Sequence, residues 1–263
     1  MLSRRKGLYG ARFAITAQDL TRAQALRYLA FRAPGLAGAA SPATGIGPAG
    51  IVGQGHDADE FDPLCCHMLI EEQQSGTLVC CFRLLLLPDG TRIGTSYSAQ
   101  FYDLAALQRF ADPMAELGRF CIHPDWHDPD ILRVAWAALT AYVDAERIGM
   151  LFGCSSFQGT KAEAYRDTFA LLNARYLAPE RWSPCIKAPD VFRFAEVGTG
   201  SFLDMRRALV TLPPLLRTYL TMGGWVSDHA VIDHDLQTLH VFTGLEISAV
   251  PSARARALRI LAA

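Results

Sequence analysis

Apolar positions change their period along this chain, and each change marks an element. From Thr16 to Arg32, Leu20, Ala23, Leu26, Tyr28, Leu29 and Phe31 follow helical spacing. Thr16 with Asp19 forms a variant capping box, so the pattern predicts a first helix ending near Arg32. Residues 33–55 bring seven glycines and three prolines in a low-complexity Ala/Gly run. That composition packs no core and predicts a mobile loop, of the kind that can close over a neighbouring site. Residues 67–70 and 78–87 flank Gln73-Gln-Ser-Gly76 and read as an antiparallel hairpin. The second arm is apolar on both faces, as a central strand is, except at Arg83.

Glu116-Leu-Gly-Arg119-Phe-Cys121-Ile122-His123-Pro124 reads as a buried strand with a carboxylate and a guanidinium three residues apart. An acidic loop, 125–130, leads into a helix with Asp128 as N-cap, Pro129 at its first position and Gly149 beyond its last turn. Ile131, Leu132, Ala135, Ala138, Leu139, Tyr142 and Val143 form the stripe that covers a sheet. An apolar strand at 150–154 and a polar turn at 155–159 complete a strand–helix–strand crossover. Further on, the pattern predicts a helix over 160–173, irregular chain over 175–200 and a short helix over 212–221 that opens with prolines. A strand pair at 225–232 and 238–247 follows, and then a basic amphipathic helix, 251–263, with Arg254, Arg256 and Arg259.

With 263 residues, 51% hydrophobic and 19% charged, the chain can bury a sizeable core as one large domain or one domain with an appendage. No run of about 18 apolar residues occurs, and Arg4-Arg5-Lys6-Gly7 leads into no signal-like segment, so a cytoplasmic location is expected. A formal net charge of −1 speaks against general nucleic-acid binding, which draws on a basic surplus. The seven cysteines include no paired C-x-x-C motif and fit reduced, buried thiols better than zinc.

An arginine inside an apolar strand either faces a wet cleft or pairs with a buried carboxylate, and both readings of Arg83 stand. For Glu116 and Arg119, structural bridging is the alternative to a site role. Residues i and i+3 of a strand point to opposite faces unless a bulge intervenes. His123 and His127 have helical metal spacing, but Pro124 and Pro129 deny them a shared helix, and no metal site is expected. His123 instead reads as a site-lining or a structural histidine. Cys121 or Cys154 as an acylated nucleophile is a further alternative.

Several separated motifs recur in an order that resembles the GNAT acyltransferase superfamily, in its acyl-carrier-protein-using branch. Asp59-Glu-Phe-Asp62 and Glu116-Leu-Gly-Arg-Phe-Cys121 resemble the acyl-homoserine lactone synthases. A longer set is similar to the ornithine–acyl-ACP N-acyltransferases: Phe61-Asp62, His67, Arg83-Leu84, Tyr97-Ser98-Ala99, Glu116-Leu-Gly-Arg119, Gly153-Cys154-x-Ser156-Phe157-x-Gly159 and Leu212-Pro-Pro-Leu-Leu216. The likeness spans residues 20–245 and implies an α/β (α+β mixed), GNAT-like fold, a central twisted mixed β-sheet flanked by helices, with the core over 1–200, the loop at 33–55, and a C-terminal extension over 201–263. It implies transfer of a 3-hydroxyacyl group to the α-amino group of an amino acid, ornithine first and glutamine or another next. An autoinducer synthase and a non-enzymatic membrane-binding protein are the other readings.

By the same resemblance, Glu116 is the first choice for a base or amine-binding carboxylate, with Glu60 and Asp62 next. Arg119 and Arg83 are expected to meet the substrate carboxylate. Backbone N–H groups near Cys121 and Ile122 would bind the oxyanion, and Tyr97, Ser98, His123, Ser156 and Phe157 complete the substrate-binding set. Common GNAT enzymes hold coenzyme A pyrophosphate on a Gly-rich loop, whereas Asp125-Trp-His-Asp-Pro-Asp130 has no glycine and three carboxylates. No tightly bound cofactor is expected. The expected donor is an acyl carrier protein bearing a 4'-phosphopantetheine thioester, docked on Arg133, Arg147, Lys161 and Arg166. The basic ends, Arg4-Arg5-Lys6 and Arg254 to Arg259, would rest on an anionic inner-membrane surface.

Overall fold

The computed structural model describes residues 4–32, 55–196 and 204–262. The Gly/Ala segment expected to form a loop falls outside them, apart from Gly55. In chain order the elements are β1 (Arg4–Lys6), β2 (Tyr9–Phe13), α1 (Ala17–Phe31), β3 (Cys66–Glu72), β4 (Leu78–Leu87), β5 (Tyr102–Asp103), β6 (Met114–Ile122), α2 (Pro129–Ala145) and β7 (Met150–Gln158). There follow α3 (Arg166–Arg175), β8 (Cys185–Ile186), β9 (Val191–Arg193), α4 (Met205–Thr211), α5 (Pro214–Thr221), β10 (Trp225–Val226), β11 (His229–Asp233), β12 (Thr238–Glu246) and α6 (Ser252–Ala262). This is a mixed α/β chain. It forms two compact units, one of Met1–Leu85, Gly118–Tyr142 and Leu258–Ala263, the other of Leu86–Leu117 and Val143–Ala257.

In the first unit, β1 to β4 run as an antiparallel meander, with β2 on β3 (Ala11↔Ile70) and β3 on β4 (Met68↔Phe82). The hairpin turn is held by Glu72, whose carboxylate accepts from the N–H groups of Gln74 and Ser75 and from the Ser75 hydroxyl. The capping box of α1 is present, and Arg12 clamps its Asp19 through Nη2 and Nη1 at 2.6 and 3.0 Å. Ala23 and Leu26 of α1 then pack on Leu69, Leu78, Cys81 and Cys121. Helix α2 starts as its sequence predicts, Asp128 accepting from the Asp130 N–H at 2.9 Å and from the Tyr9 hydroxyl at 2.9 Å. Burial, together with that carboxylate, pushes the Tyr9 phenol up to about 12.

In the second unit, β6 pairs in parallel with β7 over Met114↔Met150 to Glu116↔Phe152. β7 pairs antiparallel with β12 over its full length, and β11 and β9 extend the sheet, which is therefore mixed. Gly153 sits where a Cβ would lie 2.3 Å from the Leu117 carbonyl oxygen, so a side chain there would force the two strands apart. Phe157, Phe169, Phe194, Leu216 and Val241 belong to its apolar core.

Three local expectations need correction. Gly149 lies beyond the last turn of α2 but does not cap it: Arg147 takes the left-handed conformation (φ 53°), and a Cβ on Gly149 would lie 2.7 Å from the Asp112 Cβ, so the glycine answers to packing. The helix placed at 160–173 is a 3-10 turn, Ala162–Tyr165, followed by α3. The segment 175–200 is not wholly irregular but carries β8 and β9.

A buried polar cluster in the second unit makes stability depend on pH. The Tyr102 hydroxyl lies 3.1 Å from His240 Nδ1 and donates to the His240 carbonyl at 2.8 Å, while Nε2 is buried with no partner among the described residues. Burial pushes His240 down to about 4. Its neutral form is the folded form, so its contribution is complete above the unfolded histidine value and fades as pH falls from about 6.5 to about 4, by about 3 kcal/mol in all. Buried His67, also pushed down, acts in the same direction. The urea midpoint is expected to fall across that window. His240→Phe, which leaves the backbone acceptor for Tyr102, is expected to remove at least half of the slope.

Candidate functional site

Two constellations, one in each unit, gather the chemistry. In the first, α1 supplies Arg27, the segment before β3 supplies Asp57, Asp59 and Asp62, β4 supplies Arg83, and β6 supplies Arg119. Arg27 is 1% exposed, and its Nε donates to Asp57 at 3.0 Å and its Nη1 to Asp62 at 2.7 Å. Arg83 donates to the same Asp62 oxygen at 2.7 Å and to Asp59 at 2.9 Å, its guanidinium lying over the Phe61 ring. Arg119 donates to Asp57 at 3.0 Å and to Asp59 at 3.1 Å, and Arg32 adds a bond to Asp57 at 3.2 Å. Among the described residues four guanidiniums thus meet three carboxylates, and such planar donors suit an anionic substrate group.

Neighbouring arginines hold two of these carboxylates ionised. Burial pushes Asp57 up, but Arg119, Arg27 and Arg32 outweigh it and hold the carboxyl below its usual range. For Asp62 burial is likewise opposed by Arg27, Gln24 and Arg83, which bring it down to about 2. Asp62 is therefore ionised near neutrality, where it holds Arg27 and Arg83. His67 donates from Nε2 to the Asp62 carbonyl at 2.9 Å, consistent with its buried, neutral state. Arg119 sits at φ 52°, a left-handed kink within β6 that costs a non-glycine residue about 1–2 kcal/mol.

The second constellation centres on Glu116, 5% exposed. Its carboxylate accepts from the Tyr97 N–H at 2.8 Å, the Ser98 N–H at 2.7 Å and the Ser98 hydroxyl at 2.5 Å. The Tyr97-Ser98-Ala99 motif is thereby explained: two amides opening a 3-10 turn close on an anion. Ser98 Oγ lies 3.4 Å from Cys154 Sγ, which brings β7 to the same place. Glu116 and Arg119, three residues apart, are thus engaged in different networks.

The remaining candidates are dispersed. Glu60 is exposed, and His123 is half-buried with Nδ1 accepting from the Asp125 N–H at 3.3 Å. The Cys121 thiol is packed into the core 3.6 Å from that of Cys81, and this contact and burial push it well up, so it offers no thiolate nucleophile. Ile122 is half-buried and Ser156 exposed. Phe157 is a correction: strand alternation turns its ring into the core, 5.0 Å from Tyr165 and 5.2 Å from Phe169, where no substrate is met. Arg147, Lys161 and Arg166 are exposed, whereas exposed Arg133 pairs with Asp130 at 2.6 Å. Arg27 and Asp57 were not foreseen. An arginine four residues after Ala23, on the packed side of α1, was their signal, as was the spacing Asp57-x-Asp59-x-x-Asp62.

Comparison with known proteins assigns the class first. Residues 26–137 match the family model described as an acetyltransferase (GNAT) domain, and the chain is an N-acyltransferase. It is 33% identical over 247 residues to the L-ornithine N(alpha)-acyltransferase of Rhodobacter capsulatus, covering 92% of this chain and 91% of that one, and it belongs to that family. The protein of the same name from Agrobacterium fabrum is 27% identical over 258 residues, covering 93% of this chain and 85% of that protein. Among solved structures, FeeM, an N-acyl amino acid synthase from uncultured soil microbes, superposes with a TM-score of 0.49 at 10% identity, over 91% of this chain and 92% of that one.

Proposed function

We propose that the chain transfers a 3-hydroxyacyl group from the phosphopantetheine thioester of an acyl carrier protein to the α-amino group of L-ornithine, giving a lyso-aminolipid. The near-full-length identity to L-ornithine N(alpha)-acyltransferases carries the acceptor. The amine attacks the thioester carbonyl, the amide C–N bond forms, the C–S bond breaks, and the carrier leaves as a thiol while the amine gives up a proton. Glu116 is the carboxylate that receives the ammonium group. Arg83 and Arg119, whose guanidiniums match a carboxylate with paired donors, meet the substrate carboxylate, and backbone N–H groups around Cys121 and Ile122 serve the oxyanion. Tyr97, Ser98, His123 and Ser156 line the approach, and Arg147, Lys161 and Arg166 receive the acidic carrier.

A carrier-bound donor is favoured over coenzyme A by the start of α2, where Asp125 and Asp130 are exposed and Asp128 fills the cap that a pyrophosphate would take. The test is incubation with 3-hydroxyacyl carrier protein or the matching coenzyme A ester and an equimolar amino-acid mixture, read by mass spectrometry. Acylornithine formed from the carrier alone is expected. Acylation of glutamine instead would replace the acceptor, and equal turnover with the coenzyme A ester would remove the carrier.

A further inference from the structure

The second unit presents a surface that neither constellation uses. Helix α4 is anchored from beneath: Ala208 is 0% exposed, the Thr168 hydroxyl donates to its carbonyl at 3.0 Å, and the Asp204 carboxylate caps the Arg207 N–H at 3.0 Å. With that side fixed, Leu209 and Val210 stand out, 45% and 73% exposed. From Met205 to Thr221 the chain carries three arginines, Arg206, Arg207 and Arg217, and no carboxylate. All three are exposed; Arg207 lies 3.6 Å from Asp167, and the Arg217 guanidinium donates to the Leu209 carbonyl, which seats a cation beside the apolar pair.

We propose that α4 and the Arg217 face of α5 form a docking surface for an anionic lipid bilayer. Protruding aliphatic side chains beside guanidiniums match the boundary between acyl chains and phosphate headgroups, where apolar groups sink a few ångströms and cations stay at phosphate depth. An acidic protein partner would also suit the arginines. However, Leu209 and Val210 protrude from a helix rather than line a recess, and a bilayer receives such groups without needing a complementary pocket. The location fits the proposed reaction, on which it rests in part, because a long-chain acyl amino acid partitions into a membrane on release. Among the described residues no helix is long and apolar enough to cross a membrane.

Flotation of the full chain with phosphatidylcholine vesicles, with and without phosphatidylglycerol, tests the surface without turnover. Its failure would therefore leave the acyl-transfer reading intact, and a failed transfer assay would leave the surface intact. Binding is expected with phosphatidylglycerol and to weaken with salt. Leu209→Asp with Val210→Asp is expected to weaken it at least tenfold, from the lost burial of two aliphatic side chains. Arg206→Ser is expected to weaken it about fivefold, the effect of one cation near an anionic surface. Thermal unfolding of these variants should match the parent, since the altered side chains are exposed. Unchanged flotation of the Asp variant overturns the proposal. So does unaltered flotation accompanied by a raised KM for acyl carrier protein, which would assign the patch to the carrier.

Discussion

Arg27→Met is expected to lower the free energy of unfolding by about 3–5 kcal/mol, the cost of removing one partner from a buried ionic network. Its guanidinium bonds Asp57 and Asp62, whose side chains are 2% and 3% exposed. Methionine fills the volume but supplies no donor, so both carboxylates lose a charged partner where water cannot replace it. Arg119 and Arg32 continue to hold Asp57, and Arg83 and Gln24 continue to hold Asp62, which keeps the cost within that range. The acid limb should move as well. Asp62 is held down to about 2, so its stabilisation is present above the unfolded carboxyl value near 4 and lost as pH falls towards 2. Without Arg27 the folded value rises and that loss begins at higher pH. Equilibrium urea unfolding measures both effects, and Asp57→Asn in the Arg27→Met background should restore part of the stability by discharging one carboxylate. A change below about 1 kcal/mol would show that the network is not what holds α1 to the strands.

Legibility in the sequence followed locality. The hairpin of β3 and β4 and the crossover β6–α2–β7 were readable because an apolar run marks each strand, a 3.6 period marks the helix, and a turn or an N-cap bounds them. α4 was not, because seven residues with one fully buried position, Ala208, leave no period to detect. β2 was missed for a related reason: as Tyr-Gly-Ala-Arg-Phe it gains its identity by pairing with β3, not from its own composition. The site divided in the same way. Glu116, Arg119, Arg83 and Tyr97-Ser98 stood out as residues, but their partners did not, since the bonds from Arg27 to Asp57 and from Arg119 to Asp59 join distant parts of the chain. That Glu116 and Arg119 join separate networks agrees with the alternation of a strand, whereas the left-handed backbone of Arg119 is one that no propensity anticipates.

Glu116→Gln is expected to reduce kcat/KM for acyl transfer by about 10²–10⁴-fold, the range for losing a positioned proton acceptor. Part of any loss will be structural. Glutamine offers one acceptor oxygen, while three donors converge on the carboxylate, so its NH2 must face at least one of the Tyr97 and Ser98 N–H groups. That mismatch costs about 1–3 kcal/mol and disturbs the turn at Ser98. Two measurements separate the roles. Ser98→Ala removes a single donor and leaves the carboxylate charged; if Glu116 only shapes the turn, the two variants should lose similar activity, whereas a proton acceptor predicts a loss for Glu116→Gln at least tenfold the larger. The pH profile gives the second measurement. A residue that fixes geometry lowers the rate evenly across pH, but one that receives the ammonium proton leaves a variant whose rate climbs with pH as solvent base takes over. Turnover of Glu116→Gln within about threefold of the parent throughout would remove Glu116 from the chemistry and leave it as the anchor of the Tyr97–Ser98 turn.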